Sequence, residues 1–218
     1  DINLIKLREG RNIPMNFEQE KLNVFREISN IGSGNASTSL AQMLNEIVDI
    51  GIPNSDLREF SDITNSYSSP EELVVGTVLQ ISGDLEGFIM VIMDVDSTLT
   101  LLSRLLGRKI ECDKENYEEL YKELNSVGEI CNILCGTYLT AMSDMTGLTI
   151  DQSIPYFSVD MVMAIMNLPA SLYGGESDSI LCIETEFFTL DREIEGKYYF
   201  IPKVESCNTL LSKLGFEV

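Results

Sequence analysis

The chain has 218 residues, 44% of them apolar and 23% charged, enough to bury a core as one or two domains. Its 15 basic and 35 acidic residues leave a formal net charge of −20, so a phosphate backbone would repel it and nucleic-acid binding is not expected. It has no histidine, which excludes Ser-His-Asp and Cys-His nucleophile systems, His-built zinc sites and phosphohistidine relays.

Residues 1–16 read as an N-terminal extension with no counterpart later in the chain. The chain starts at Asp1, which suits residues added ahead of a natural start at Met15. No apolar stretch of signal-peptide type is present there. From Phe17 to Leu44 apolar residues recur at helical spacing. A short strand ending at Pro53 and a short helix over Asp56 to Phe60 are expected next. Asn65 to Pro70 reads as a loop. Two apolar runs, Leu73 to Ser82 and Phe88 to Met93, flank a polar turn and predict a hairpin. The second run is far short of the roughly 20 residues a membrane span needs, so no membrane insertion is expected. An amphipathic helix then closes with Leu101-Leu-Ser-Arg-Leu-Leu-Gly107, and Arg108 to Tyr117 forms an acidic joint.

The same order then recurs. A helix over Glu118 to Met145 leads to Pro155, and a shorter helix is expected over Ser158 to Met166. Tyr173 to Asp178 reads as a loop. Apolar runs follow at Ser179 to Thr189 and Lys197 to Ile201, and the closing helix ends Leu210-Leu-Ser-Lys-Leu-Gly215. The expected fold is α/β of the α+β type: a tandem pseudo-symmetric repeat, about 17–107 and 118–218, sharing one largely antiparallel sheet with helices on its faces.

Five cysteines, Cys112, Cys131, Cys135, Cys182 and Cys207, are odd in number and mostly lie within apolar runs. They read as reduced core thiols of a cytoplasmic protein. Cys131 and Cys135 fall four apart on a helix, but two thiolates alone make a poor zinc site, so no metal is expected.

On the first long helix Leu22, Phe25, Ile28, Ala36, Leu40, Met43 and Ile47 form an apolar stripe, and Asn23, Glu27, Asn30, Gly34, Ser37 and Ala41 lie roughly opposite. On the second, Leu120, Leu124, Val127, Cys131, Leu134, Tyr138 and Met142 form the stripe, and Asn125, Glu129, Asn132, Gly136, Thr140 and Ser143 lie on another side. Ile133 falls among these polar residues without a reason in the pattern. Glu and Asn three apart are neighbours on one surface. The Gly and small residues beyond them predict a low floor open to a partner. Glu-x-x-Asn begins at Glu9, Glu20, Glu27, Glu129 and Glu205, and alone it reads as a solvated helix face. Spacing separates two of the five: Asn30 and Asn132 are each followed by 22 residues and then a proline, Pro53 or Pro155, in a chain with six prolines.

These residues resemble the signature of the CheC-type phosphatases of bacterial and archaeal chemotaxis, with CheX and FliY as relatives: Asp or Ser, three residues, Glu, two residues, Asn, 22 residues, Pro. Both repeats match at Glu, Asn and Pro and depart at the first position, where Asn23 and Asn125 stand. The resemblance covers about Phe17 to Val218 and implies a single domain of two repeats. Two signatures are similar to CheC, since CheX has one. FliY adds a C-terminal flagellar-switch domain, which is not expected in a chain that ends at Val218 just after the second repeat.

The resemblance implies dephosphorylation of the aspartyl phosphate of the response regulator CheY. The regulator would supply Mg²⁺ and a Lys, with no cofactor of this chain's own. Asn30 and Asn132 would each hold the attacking water in line, since a carboxamide both accepts and donates. Glu27 and Glu129 would pair with the regulator's Lys. A second partner is also implied, the receptor deamidase CheD, through the helix expected after Pro155 and Asp160 within it; the chain itself is expected to be a monomer. Two other readings stay open: a module that binds the phosphorylated regulator without hydrolysing it, as a sink or flagellar-switch-like adaptor, and an acidic protein that uses the fold for assembly.

Overall fold

The computed structural model describes residues 19–112, 117–173 and 180–216. The expected extension at residues 1–16, residues 174–178 of the expected loop and part of the acidic joint lie outside them. The first repeat comprises α1 (Gln19–Leu44), β1 (Val48–Ile50), β2 (Asn54–Arg58), α2 (Phe60–Thr64), β3 (Leu73–Gly83), β4 (Gly87–Asp94) and α3 (Val95–Leu106). The second repeats that order as α4 (Glu118–Thr146), β5 (Ile150–Gln152), β6 (Tyr156–Met161), α5 (Val162–Tyr173), β7 (Ile180–Thr189), β8 (Glu195–Pro202) and α6 (Val204–Lys213). Both long helices and both hairpins fall where the periodicity put them.

Two expectations are corrected between them. The proline in each repeat divides two short strands, where one strand was expected. Asp56 to Arg58 belongs to β2, and Ser158 to Met161, with Asp160, belongs to β6. Helix starts only at Phe60 and Val162. The polar and β-branched residues here alternate in burial, as Asn54, Ser55 and Asp56 do, and so satisfy a strand as well as a helix turn.

All eight strands form one sheet, and every pairing is antiparallel. The two hairpins meet through β4 and β8 at its centre. Each repeat's first two strands cross to the other repeat: β1 and β2 pair with β7, and β5 and β6 pair with β3. The sheet is covered on both faces. Ile89, Val91 and Met93 of β4 face the cluster that holds Phe25, Leu40, Leu134 and Tyr138, whereas Phe88, Met90 and Ile92 face Ile63, Val162, Ile165 and Met166. Burial on both sides is why Phe88 to Met93 is continuously apolar instead of alternating. No helix among the described residues is long and apolar enough to cross a membrane.

α1 and α4 pack together over one face. A Cβ on Gly32 would lie 3.0 Å from the Tyr138 ring, so the missing side chain lets the ring into the crossing. The Tyr138 hydroxyl donates to Ser29 Oγ at 2.7 Å, and Ser29 Oγ is 3.2 Å from Thr185 Oγ1, joining both helices to β7.

The repeats also fill equivalent space in opposite ways. In the second, Gly128 on α4 makes room for Phe157, whose ring would lie 2.5 Å from a Cβ there. In the first, the helix carries Arg26 and the strand carries Ser55, whose hydroxyl donates to Leu22 O at 2.8 Å. Gly128→Ala should therefore overpack, costing about 1–3 kcal/mol despite its better helix propensity. Combined with Phe157→Ser, the loss should fall short of the sum of the single variants by more than about 0.5 kcal/mol in urea unfolding; strict additivity would show that the two positions are not coupled.

Candidate functional site

α1 turns its apolar stripe inward: Leu22, Phe25, Ile28, Ala36 and Leu40 are buried, while Asn23, Glu27 and Asn30 are exposed. On α4, Leu120, Val127, Cys131, Leu134, Tyr138 and Met142 are buried, Asn125 and Glu129 are exposed, and Asn132 is half-buried. Each Glu and Asn thus shares one outward helix surface, one turn apart. Neither Glu27 nor Glu129 forms an ion pair among the described residues. Asn23 accepts from Arg26 at 3.3 Å, outside the turn that bears Glu27 and Asn30.

The spacing to the proline has a geometric reason. Ile50 Cδ1 lies 3.9 Å from the Cβ position of Gly34, and Ser55 bonds to Leu22 O. The five-residue step from Ile50 to Ser55 spans about 17 Å in extended form. The helix from Gly34 back to Leu22 spans about 18 Å. The strand segment therefore runs back along α1 and carries Ile52 and Pro53 past the turn with Glu27 and Asn30. In the second repeat Gln152 touches Gly136 and Phe157 touches Gly128, which carries Ile154 and Pro155 past Glu129 and Asn132. Proline suits the place because the ladder to β7 breaks there: Gly51 still donates to Glu186 O at 2.8 Å, and regular pairing resumes at Asn54.

The expected open floor is therefore filled. β1 covers Gly34 and β5 covers Gly136, and Ser37 is buried. Small residues in this row admit the chain's own strand at Gly34 and Gly136, and the Glu and Asn end stays exposed or half-buried beyond it.

That end has an apolar rim the periodicity did not explain. Ile31 and Ile133 directly follow the two asparagines and are 42% and 45% exposed. Ile52 and Ile154 directly precede the two prolines and are 93% and 89% exposed. Equivalent apolar exposure in both repeats accounts for Ile133. The signal was in the sequence: the same residue type stands at the same offset in each repeat, against its own helical pattern.

Asp160 lies elsewhere, on β6, where its carboxylate accepts from Met161 N at 2.8 Å. It is exposed beside Met161 and Met163, each 43% exposed.

Cys131, Cys135, Cys182 and Cys207 are buried and Cys112 is half-buried; none is in a disulfide. Burial pushes the Cys131 thiol up to about 11 and Cys182 to about 12, and raises Cys135 as well. Such thiols are neither nucleophiles nor ready thiolate ligands. No group of three or more Cys, Asp or Glu with metal-site geometry occurs among the described residues. At pH 8 a thiol reagent should modify Cys112 quickly and the other four only on unfolding. Rapid reaction of two or more thiols in the folded protein would contradict this burial.

Comparison with known proteins agrees with the geometry. A family model described as "CheC-like family" matches at residues 20–55 and 123–159, one segment in each repeat, each containing one Glu-x-x-Asn and its proline. The chain is 27% identical over 200 residues to the CheY-P phosphatase CheC of Bacillus subtilis (strain 168), covering 91% of this chain and 95% of that protein. FliY of Thermotoga maritima shares the fold with a TM-score of 0.68 at 20% identity, covering 91% of this chain and 98% of that one. CheX of Borrelia burgdorferi, solved as a CheX-CheY-BeF3-Mg complex, aligns with a TM-score of 0.55 at 20% identity, over 80% of this chain and 97% of that one. Both repeats therefore match the CheC-like family model, at the residues on which the resemblance in the sequence rests.

Proposed function

We propose that this chain is a cytoplasmic phosphatase for the aspartyl phosphate of a CheY-type response regulator. The observation that carries the reading is the duplicated surface: an exposed Glu-x-x-Asn turn, twice, each with a proline-bearing strand segment laid beside it. The similarity to a CheY-P phosphatase over most of both chains supports it, as does a fold shared with a CheX solved together with CheY.

The chemistry asks little of such a surface. An acyl phosphate is already reactive, and the regulator contributes the Mg²⁺ and a Lys that neutralise the transferring group. What remains is to hold a water in line. Asn30 and Asn132 do this through a carboxamide that can accept a water proton while donating to its oxygen. Glu27 and Glu129, lacking partners of their own among the described residues, pair with the regulator's Lys. Ile31 with Ile52, and Ile133 with Ile154, give each docking face apolar area that a solvated helix face would not need.

The test is phosphate release from excess phosphorylated regulator. Replacing both Asn30 and Asn132 by Ala should remove orders of magnitude of turnover while leaving binding intact. Both lie outside the core, so stability should stay within about 1 kcal/mol and the circular dichroism unchanged. Replacing Glu27 and Glu129 by Gln should chiefly raise KM. A folded double Asn variant with wild-type turnover would make the signature a scaffold. The Asn residues at positions 23 and 125 favour a second reading, a binding module that sequesters phosphorylated regulator; a sink releases phosphate no faster than the regulator does alone.

The resemblance also suggests CheD as a partner. The support is the asymmetry around α5: this helix has 12 residues against five in α2, and Met161 and Met163 are exposed beside Asp160. Asp160→Lys should weaken CheD binding in a titration and leave regulator dephosphorylation unchanged. Unaltered affinity would remove Asp160 from that surface.

A further inference from the structure

The two sites are alike in sequence but not in how their asparagines are held. Asn30 is exposed, and its side chain makes no hydrogen bond among the described residues. Asn132 is half-buried, and its Oδ1 accepts from Gln152 Nε2 at 2.9 Å. Gln152 Nε2 also lies 3.3 Å from the backbone O of Asn132. A backbone oxygen can only accept, so the nitrogen of Gln152 must face Asn132, and the orientation of both amides follows. The oxygen of Asn132 is turned toward β5 and its NH₂ away from it. The equivalent of Gln152 in the first repeat is Ile50, which offers no donor.

Gln152 is not there for packing alone. Its Oε1 is buried and has no hydrogen-bond partner among the described residues, a desolvation cost that Ile50 avoids while covering the same place on the helix. Gln152 packs against the helix at Gly136, where a Cβ would lie 3.4 Å from its Nε2, in van der Waals contact. The polar side chain is thus kept at a cost, and what it provides is the grip on Asn132.

We propose that Gln152 is a positioning residue that makes the second site the preorganised one. It holds the Asn132 carboxamide in one orientation before the regulator docks. One lone pair of Oδ1 and both N–H donors remain for water and the phosphoryl group. Asn30 must be ordered at each encounter. Ordering one side chain of this kind is worth about a two- to tenfold change in rate. The inference rests on the phosphatase reading above, and the second site should carry most of the turnover.

The experiment uses single-site variants of the full chain, with kcat and KM measured on phosphorylated regulator. Asn30→Ala isolates the second site and should retain about two- to tenfold more kcat than Asn132→Ala, which isolates the first. In the Asn30→Ala background, Gln152→Ile and the near-isosteric Gln152→Glu, which cannot donate, should each lower kcat by about that factor with KM little changed. Ile50→Gln in the Asn132→Ala background should raise the first site's kcat. As a readout independent of turnover, Gln152→Glu should shift the side-chain amide NMR signals of Asn132 and leave those of Asn30 in place. Unchanged kcat in both Gln152 variants, or a change in KM alone, overturns the positioning role. Wild-type turnover in the variant lacking both asparagines overturns the underlying phosphatase reading instead, so the two failures are distinguishable.

Discussion

The exchange of edge strands between the repeats is the constraint on which the rest of the molecule depends. β1 and β2 leave the first helix and find their hydrogen bonds on β7, and β5 and β6 find theirs on β3. Neither repeat can satisfy its backbone without the other, and an unmet row of N–H and C=O groups at a sheet edge is costly to bury. The exchange also sets the helices. α1 and α4 are each tied to a strand held by the other repeat, so they are brought together over one face, where Gly32 admits Tyr138 and Ser29 bridges to Thr185.

The signature surface inherits this dependence. The segment with Ile52 and Pro53 lies beside Glu27 and Asn30 because β1 and β2 are anchored on β7, in the second repeat. The segment with Ile154 and Pro155 is anchored on β3, in the first. Each site is therefore braced by the repeat that does not carry it. On the phosphatase reading proposed above, a rigid frame of this kind suits the placing of one amide without any charged nucleophile.

Much of this was legible in the sequence because burial imposes period and duplication exposes it. The apolar stripes of α1 and α4 and both hairpins follow from residue order alone. Local polar segments were less legible. Asp56 and Asp160 sit where short alternation fits one helical turn as well as a strand, and only pairing with β7 and β3 decides between them. The low floor at Gly34 and Gly136 was read as open because no pattern along the chain reveals which strand returns to cover it. The grip of Gln152 on Asn132 was hidden for the same reason: 20 positions separate them, and only the return of β5 along α4 brings them within 2.9 Å. Ile133 is the converse case, an anomaly in one helix that became intelligible beside Ile31, Ile52 and Ile154.

The crossed sheet bears on how the chain is made. Val48 pairs with Thr189, so β1 leaves the ribosome about 140 residues before its partner. At roughly 5–20 residues per second, that is a wait on the order of ten to thirty seconds. During it, the cluster around the inward stripe of α1 lacks Ile183, Phe187, Tyr198 and Phe200 of β7 and β8, and β3 likewise lacks its partners on β5 and β6 until the second long helix has emerged. The first repeat thus stays open, with apolar surface uncovered, until β7 has emerged, the kind of exposed intermediate that chaperones bind.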